Sequence, residues 1–522
     1  MKKERLPHLL TLAVLLALVL GACAPAATPT PAPPPPPTKE EAKPTQPPAK
    51  EAWSLAKAAE PWKGETLRLI GEALPPLEAL EKLKSQFEEQ TGVKVVIEGL
   101  GHEEAVEKVT LDFAGQTGIY DVVLQPHRAI GKLVDAGWVR PIDEFYNDPN
   151  LRDPNFSFEE NILNQEWFRE TCTYNDKIYA LPFHFISMYL WYRYDWFEHP
   201  DEKAAFKAKY GYDLPSPPVT WKEYRDVAEF FTRKSGETLA GEVLDHDVYG
   251  HTWSGARHVS TWYDYLNILY AFGGRDIELP ENRGDRYGKV TVNSDIAVEA
   301  LQTIIDLLPY APPGTLRYTW DEKQAAQQSG LVAMAIQWDD ATFAVEDPEQ
   351  STAAGKIAYS GVPIGREKMT QIEGWSYFIP NSAKKPGLSW LFIQWAMGKD
   401  VQIAQMKLGG ESGLRSTYDD PEVANIPYVP TAVYLKTGGK LVLKVREEGA
   451  PNGVGVPRRY LEAVNPKTGD TSVTIVAKPK WPEEEKYTEA IILYVNRALT
   501  GELTPKQALD ELAVELEKIL PK

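Results

Sequence analysis

Residues 66–97 read TLRLIGEALPPLEALEKLKSQFEEQTGVKVVI, and the spacing of their apolar residues changes twice. Thr66 to Ile70 reads as a short buried strand. Leu77, Leu80, Leu83 and Phe87 then recur at spacings of three and four, one face of a helix, and Gly92 stops it. Val93 to Ile97 is rich in β-branched residues and reads as a second strand. The pattern repeats downstream. Glu103 to Ala114 carries Val106, Val109 and Phe113 on one helical face, and Tyr120 to Leu124 is a strand again. Strand–helix–strand–helix–strand predicts a parallel sheet covered on both faces. Ligands of such sheets bind beyond the carboxyl ends of the strands, which places Gln125-Pro126-His127-Arg128 at a candidate site.

Size extends the reading. Single cores stop growing at about 250–300 residues, so the chain beyond Trp62 is expected to form two lobes. Later helices announce their starts. Thr220-Trp221-Lys222-Glu223 is a capping box followed by apolar Val227 and Phe231. Asn293 or Ser294 caps a helix running to Leu308. Thr504-Pro505-Lys506-Gln507 is a second box with proline at the first helical position, and Leu509, Leu512, Leu516 and Ile519 line one stripe behind it.

The N-terminal region follows other rules. Lys2, Lys3 and Arg5 precede an apolar stretch, Leu9 to Leu20, that is too short to span a bilayer comfortably. That is the layout of a secretory signal. It ends in Leu20-Gly21-Ala22-Cys23, which resembles the bacterial lipobox. The resemblance implies a signal peptide over 1–22, cleavage before Cys23 and a diacylglyceryl thioether on its sulfur. Residues 23–61 then form a tether, rich in proline and with a Pro33–Pro37 run, that favours extended polyproline II and buries too little apolar surface to fold. A lipidated cysteine and a stiff spacer hold a domain off a membrane surface.

Composition narrows the function. The net charge of −18 argues against nucleic acid, which needs a basic surface. Acidic runs such as Glu483 to Glu485 read as solvated faces. The 2 cysteines are Cys23 and Cys172, so lipidation of the first leaves the second without a disulfide partner; Cys172 reads as a buried thiol. The 15 Trp and 25 Tyr indicate either a large aromatic core or a site for ligands with flat C–H faces, such as sugars. No G-x-S-x-G, H-E-x-x-H, phosphate loop or dinucleotide fingerprint occurs. His246 and His251 flank Asp247 without metal-site spacing and read as loop residues. Asp339 and Asp340 are adjacent carboxylates, a poor arrangement for the opposed acid and base of a glycosidase.

Two aromatic positions stand out. Trp338 ends the apolar run Met334 to Gln337 and precedes Asp339. Trp375 follows Glu373 and Gly374, a glycine that would let a ligand approach the backbone. An indole beside carboxylates suits a polyol, with the ring on the C–H face and the acids accepting from hydroxyls. An aromatic plugging the junction of two lobes fits either residue equally well. The stretch FHFISMYLWYRYDWF, Phe183 to Phe197, reads as a strand packed on both faces.

Six stretches in order carry a further likeness. They are Asp121 to Leu124 leading through Leu133–Gly137 to Arg140-Pro141-Ile142; Tyr174 to Pro182 with Tyr194-Asp195; Pro218 to Glu223; Val332 to Trp338; Gly374 to Lys385; and Gly409 to Ser416 with Asp420 to Val423. Together they resemble the extracellular solute-binding proteins of ABC importers, in the carbohydrate-binding, maltose-binding-protein-like group, from Leu67 to Leu520. The resemblance implies two α/β lobes joined by hinge strands, closing on a ligand in the cleft. The first lobe would be residues 62–182 plus 375–426 and the second 183–374 plus 427–522. It implies a monomer that captures a sugar, oligosaccharide or polyol and delivers it to permease subunits, without cofactor, metal or catalysis.

Ligand positions carried over by motif fall at His127, Arg128, Ser187, Trp262, Tyr263, Trp338, Gly374, Trp375 and Arg415, with Asp339 and Glu373 as hydroxyl acceptors. Two departures are visible. The family often has an acidic residue where Arg128 stands and another near Ile186. Arginine also binds carboxylates and phosphates, which leaves open an anionic or nitrogenous ligand such as glycerol phosphate. A secreted glycan-degrading lipoprotein is the remaining alternative. Residues 431–480 match the family poorly.

Overall fold

The first sheet follows directly from the opening stretch. In a computed structural model of the chain, residues 52–158, 162, 165–278, 288–367, 369–418, 420–424, 474–476 and 481–520 are described. Cys23, the leader, most of the tether and nearly all of 431–480 lie outside them. Strand β1 (Thr66–Glu72), helix α1 (Pro75–Thr91), strand β2 (Lys94–Leu100), helix α2 (His102–Gly115) and strand β3 (Val122–Pro126) alternate as the apolar periods require. Strand β1 lies between β2 and β3, parallel to both, with Leu69 opposite Ile97 on one side and Val122 on the other. Gly92 ends α1 in the left-handed conformation at φ 71°, where a side chain would be strained. Leu77, Leu80, Leu83 and Phe87 are all buried against the sheet's core. Strand β4 (Ala180–Pro182) closes this half of the chain.

The second sheet is built on strand β5 (Ile186–Arg193). Strands β6 (Tyr249–His251), β7 (Val332–Trp338), β8 (Ile357–Ser360) and β9 (Met369–Glu373) gather around it. β7 pairs antiparallel along one edge of β5, and β8 and β9 share the other edge. Helices α3 (Trp221–Phe231), α4 (Val259–Ala271), α5 (Asp295–Leu307), α6 (Trp320–Gln328), α7 (Glu484–Leu499) and α8 (Pro505–Ile519) belong to this half. The expected caps are formed. Thr220 and Glu223 exchange both capping-box bonds, as do Thr504 and Gln507, and Ser294 rather than Asn293 caps α5.

β5 is packed on both faces, as the alternation predicts. Tyr189 and Trp191 join Phe183 and Phe185 in the core of the first sheet, while Ile186, Met188, Leu190 and Tyr192 join the second core. The strand is shorter than expected. Arg193 turns back to grip Asp195 with Nε at 2.8 Å and Nη2 at 2.6 Å, and Tyr194–Phe197 becomes one helical turn, so Tyr194 and Trp196 leave the strand.

The chain returns from the second sheet to the first in a single residue. Glu373 ends β9 opposite Ile186; Trp375 begins β10 (Trp375–Phe378) opposite Pro126. β10 runs antiparallel between β3 and β4, giving the first sheet the order β2-β1-β3-β10-β4. Gly374 is the step between them. A side-chain carbon there would lie 2.1 Å from the carbonyl oxygen of His184, which belongs to the other crossing, Phe183 to Phe185. A short strand β11 (Thr474–Val476) pairs parallel to β9. Cys172 is buried beside Ser376. His251 is a buried strand residue, a correction to its reading as loop, whereas His246 is exposed beside Asp245.

Candidate functional site

β1 and β2 run further than the expected ends at Ile70 and Ile97, to Glu72 and Leu100, and their extra residues open onto a cavity. It has a volume of about 910 Å³ and lies at the carboxyl ends of β1, β2 and β3. The first sheet contributes Glu72, His102, Arg128 and Trp375, and the other half of the chain contributes Tyr263, Trp320, Trp338, Asp340 and Glu373. A ligand pocket commonly measures about 300–1,000 Å³.

Five of the residues singled out in the sequence meet at this wall: Arg128, Tyr263, Trp338, Glu373 and Trp375. Arg128 donates to the Tyr263 hydroxyl at 3.1 Å, and that hydroxyl donates to Glu373 at 2.6 Å. Arg128 Nε also lies 3.4 Å from Glu484. Burial opposes the guanidinium charge, but Tyr263, Glu484 and Glu373 more than offset it and hold it firmly protonated. Burial likewise drives the Tyr263 hydroxyl well above the ordinary tyrosine range, so it stays a donor. Trp338 meets Tyr263 edge to face at 5.0 Å.

Three expected residues sit one layer back. Trp262 is buried against Tyr263 and Tyr487, away from the cavity. His127 is buried beside Phe185 and lies 3.8 Å from Glu373. Burial, with His184 nearby, holds it neutral, and burial pushes His184 itself down to about 3. Gly374 faces the His184 carbonyl and the His127 ring; packing at the crossing accounts for its missing side chain without a ligand. The side chains of Ser187, Asp339 and Arg415 lie outside the described residues.

The sequence reading missed an aromatic strip that joins the two halves. His102 packs edge-on against both Trp375 at 5.3 Å and Trp320 at 5.1 Å, and His258 also meets Trp320 edge-on at 4.7 Å. Glu72 accepts from His102 Nδ1 at 2.8 Å, and Glu103 contacts His258 Nε2 at 3.0 Å. The Glu103–His258 contact bridges the cleft. A second cavity of about 650 Å³ shares His102, Glu103, Arg128 and His258 with the first.

The cleft is acidic. Glu72, Glu78, Glu103 and Glu104 line it from one side, and Asp321, Glu322, Asp340 and Glu373 from the other. Burial, reinforced by Glu72, lifts the Asp340 carboxyl to about 7. Burial and the neighbours Glu322 and Glu72 also raise Asp321. Glu373, directly across the sheet from Ile186, supplies a carboxylate at the level where the family pattern expects one and Ile186 offers none. Among the described residues no cluster of His, Cys, Asp or Glu is arranged to hold a metal ion, and no helix is long and apolar enough to cross a membrane.

Residues 73–403 match the family model described as bacterial extracellular solute-binding protein. A probable ABC transporter-binding protein of Deinococcus radiodurans is 28% identical over 234 residues, 44% of this chain and 50% of that protein. The chain therefore spans about half the length of that relative. An erythritol/L-threitol-binding protein of Mycolicibacterium smegmatis is 22% identical over 379 residues, 69% of this chain and 70% of that protein. The same fold occurs in the crystal structure of an ABC transporter solute-binding protein from Agrobacterium radiobacter in complex with ribitol. That match has a TM-score of 0.63 and 22% identity, and covers 88% of this chain and 99% of the other.

Proposed function

The chain belongs to the bacterial extracellular solute-binding proteins, and on that premise we propose that it is the lipid-anchored receptor of an ABC importer, capturing a sugar or polyol in its cleft and presenting it to the permease. The observation that carries the reading is the cavity wall itself. Trp320, Trp338 and Trp375 enter one cavity that is also lined by carboxylates from both halves of the chain. Indole faces cover the C–H surface of a polyol, and carboxylates accept from its hydroxyls. The names of the relatives, an erythritol/L-threitol-binding protein and a ribitol complex, support the same ligand class.

In this account the chain performs no covalent chemistry. Its two lobes bind a ligand better closed than open, because each contributes part of the wall, and the ligand shifts the population toward closure. Tyr263 and Arg128 set the orientation of Glu373, so one hydroxyl meets a fixed acceptor. Cys23 anchors the protein outside the cytoplasmic membrane, and the proline-rich tether after it keeps the cleft clear of the lipid; the tether is shorter than the expected 23–61, because Ser54 caps a helix over Leu55–Ala59 whose Ala59 is buried in the core. The protein acts as a monomer.

An anionic ligand fits less well. Arg128 is already engaged by Tyr263 and Glu484 and stands close to Glu373, and the remaining wall is acidic. The test is a thermal-shift panel of sugars, polyols, glycerol phosphates and amino acids, run beside turnover of chromogenic glycosides. A ligand at a hundred times its dissociation constant adds about 2.7 kcal/mol. A sugar or polyol shift without glycoside turnover is expected. A shift from the phosphates alone, or turnover, contradicts the proposal.

A further inference from the structure

The acidic run Glu483 to Glu485 is not wholly the solvated face its composition suggests. Glu484 is 7% exposed and meets a cation from the other half of the chain. Arg128, just beyond β3, and Lys132, one helical turn later in Ile130–Asp135, both reach the first turn of α7. Arg128 Nε lies 3.4 Å from Glu484, and Lys132 Nζ donates to Glu485 at 2.5 Å. These residues line the second cavity, as do Glu103 and His258, whose contact also crosses between the halves. Lys132, Glu484 and Glu485 do not line the first cavity, so they lie off the wall of indoles and carboxylates.

Both pairs join one lobe to the other, so opening the cleft must separate them and forfeit their attraction. The Lys132 and Glu485 side chains are 33% and 63% exposed, which leaves that pair open to screening by salt. Arg128 and Glu484 are 14% and 9% exposed and are screened less. We propose that Arg128–Glu484 and Lys132–Glu485 form a latch that biases the lobes toward closure before a ligand arrives. A ligand binds the closed form better, so the latch tightens binding through residues outside the ligand cavity. An uncharged ligand then binds more weakly in high salt, because the ion pairs belong to closure and not to the ligand.

Pulsed electron paramagnetic resonance tests the latch without a ligand. Spin labels at Lys108→Cys and Ala325→Cys, exposed helical positions on the two halves, report the distance between lobes in a full-length Cys23→Ser background; Cys172 is buried. The closed distance is expected to dominate at low salt. Lys132→Glu and Glu485→Lys should each move the closed-to-open ratio about fivefold toward open. The double swap should restore it, which damage to the fold would not. Sodium chloride at about 1 M, where charges are screened beyond about 3 Å, should shift the parent toward open as well. An open form at low salt, a ratio that salt or the single swaps leave unchanged, or a double swap no more closed than the single ones overturns the proposal. None of these results bears on the carbohydrate reading, which the thermal-shift panel decides.

Discussion

Replacing Gly374 with alanine tests the crossing between the two sheets. The added carbon would lie 2.1 Å from the His184 carbonyl oxygen and 2.6 Å from the His127 ring, whereas non-bonded heavy atoms settle at about 3.5–4.0 Å between carbons. Relief needs a shift of about an ångström, and the obstacle is backbone. Phe183 N–H donates to the Trp375 carbonyl at 2.8 Å, and His127 N–H donates to the Gly374 carbonyl at 3.0 Å. These bonds tie the segments that would have to separate. Overpacking costs about 1–3 kcal/mol where side chains can yield, so with backbone in the way the expected loss is at the top of that range, about 3 kcal/mol. Urea unfolding of the purified protein measures it as a lower midpoint at unchanged slope. A change within about 0.5 kcal/mol, the range of an indifferent surface substitution, refutes the reasoning.

Other substitutions probe separate features. Lys323, 1% exposed, holds both oxygens of the equally buried Asp264 at 2.9 and 3.0 Å, so Lys323→Met strands a buried carboxylate and should cost about 3–5 kcal/mol by chemical unfolding, with Asp264→Asn restoring part of the loss. Trp320→Ala should weaken the best ligand by about tenfold or more in calorimetry, whereas Trp262→Phe should cost stability and leave affinity nearly intact. Asp340 keeps its proton to about 7 in the fold but ionises near 3.8 when unfolded. Between those values the folded state binds the extra proton, so stability falls as pH rises through the window. The stability difference between Asp340→Asn and the parent should move in the variant's favour from about pH 4 to pH 7 and then level off, and a difference independent of pH would contradict the assignment.

How much was legible depended on whether one physical cause dominated each stretch. The first sheet was readable because α1 and α2 have one buried face and β1 to β3 are short, mostly apolar segments between them. Capping boxes at Thr220 and Thr504 were readable because two side chains report the same helix start. Thr319-Trp320-Asp321-Glu322 forms the same box, and applying that rule there would have found Trp320. His102 was lost because the rule of strand carboxyl ends was applied to β3 and not to β2. Trp262 and Tyr263 could not be separated by pattern. Every residue of α4 from Ser260 to Ala271 is buried, so no polar face shows which side meets the cleft. Gly374 carried a real signal with two causes, a ligand's approach and a chain crossing, and only the distance to His184 distinguishes them.

The most direct test of the central claim is a crystal structure with the tightest sugar or polyol from the panel. The ligand's carbon skeleton is expected against Trp338 and Trp375, with Glu373 accepting a hydroxyl and Tyr263 still bonded to Glu373. A ligand seated elsewhere, or one in the cleft that touches neither indole, contradicts it.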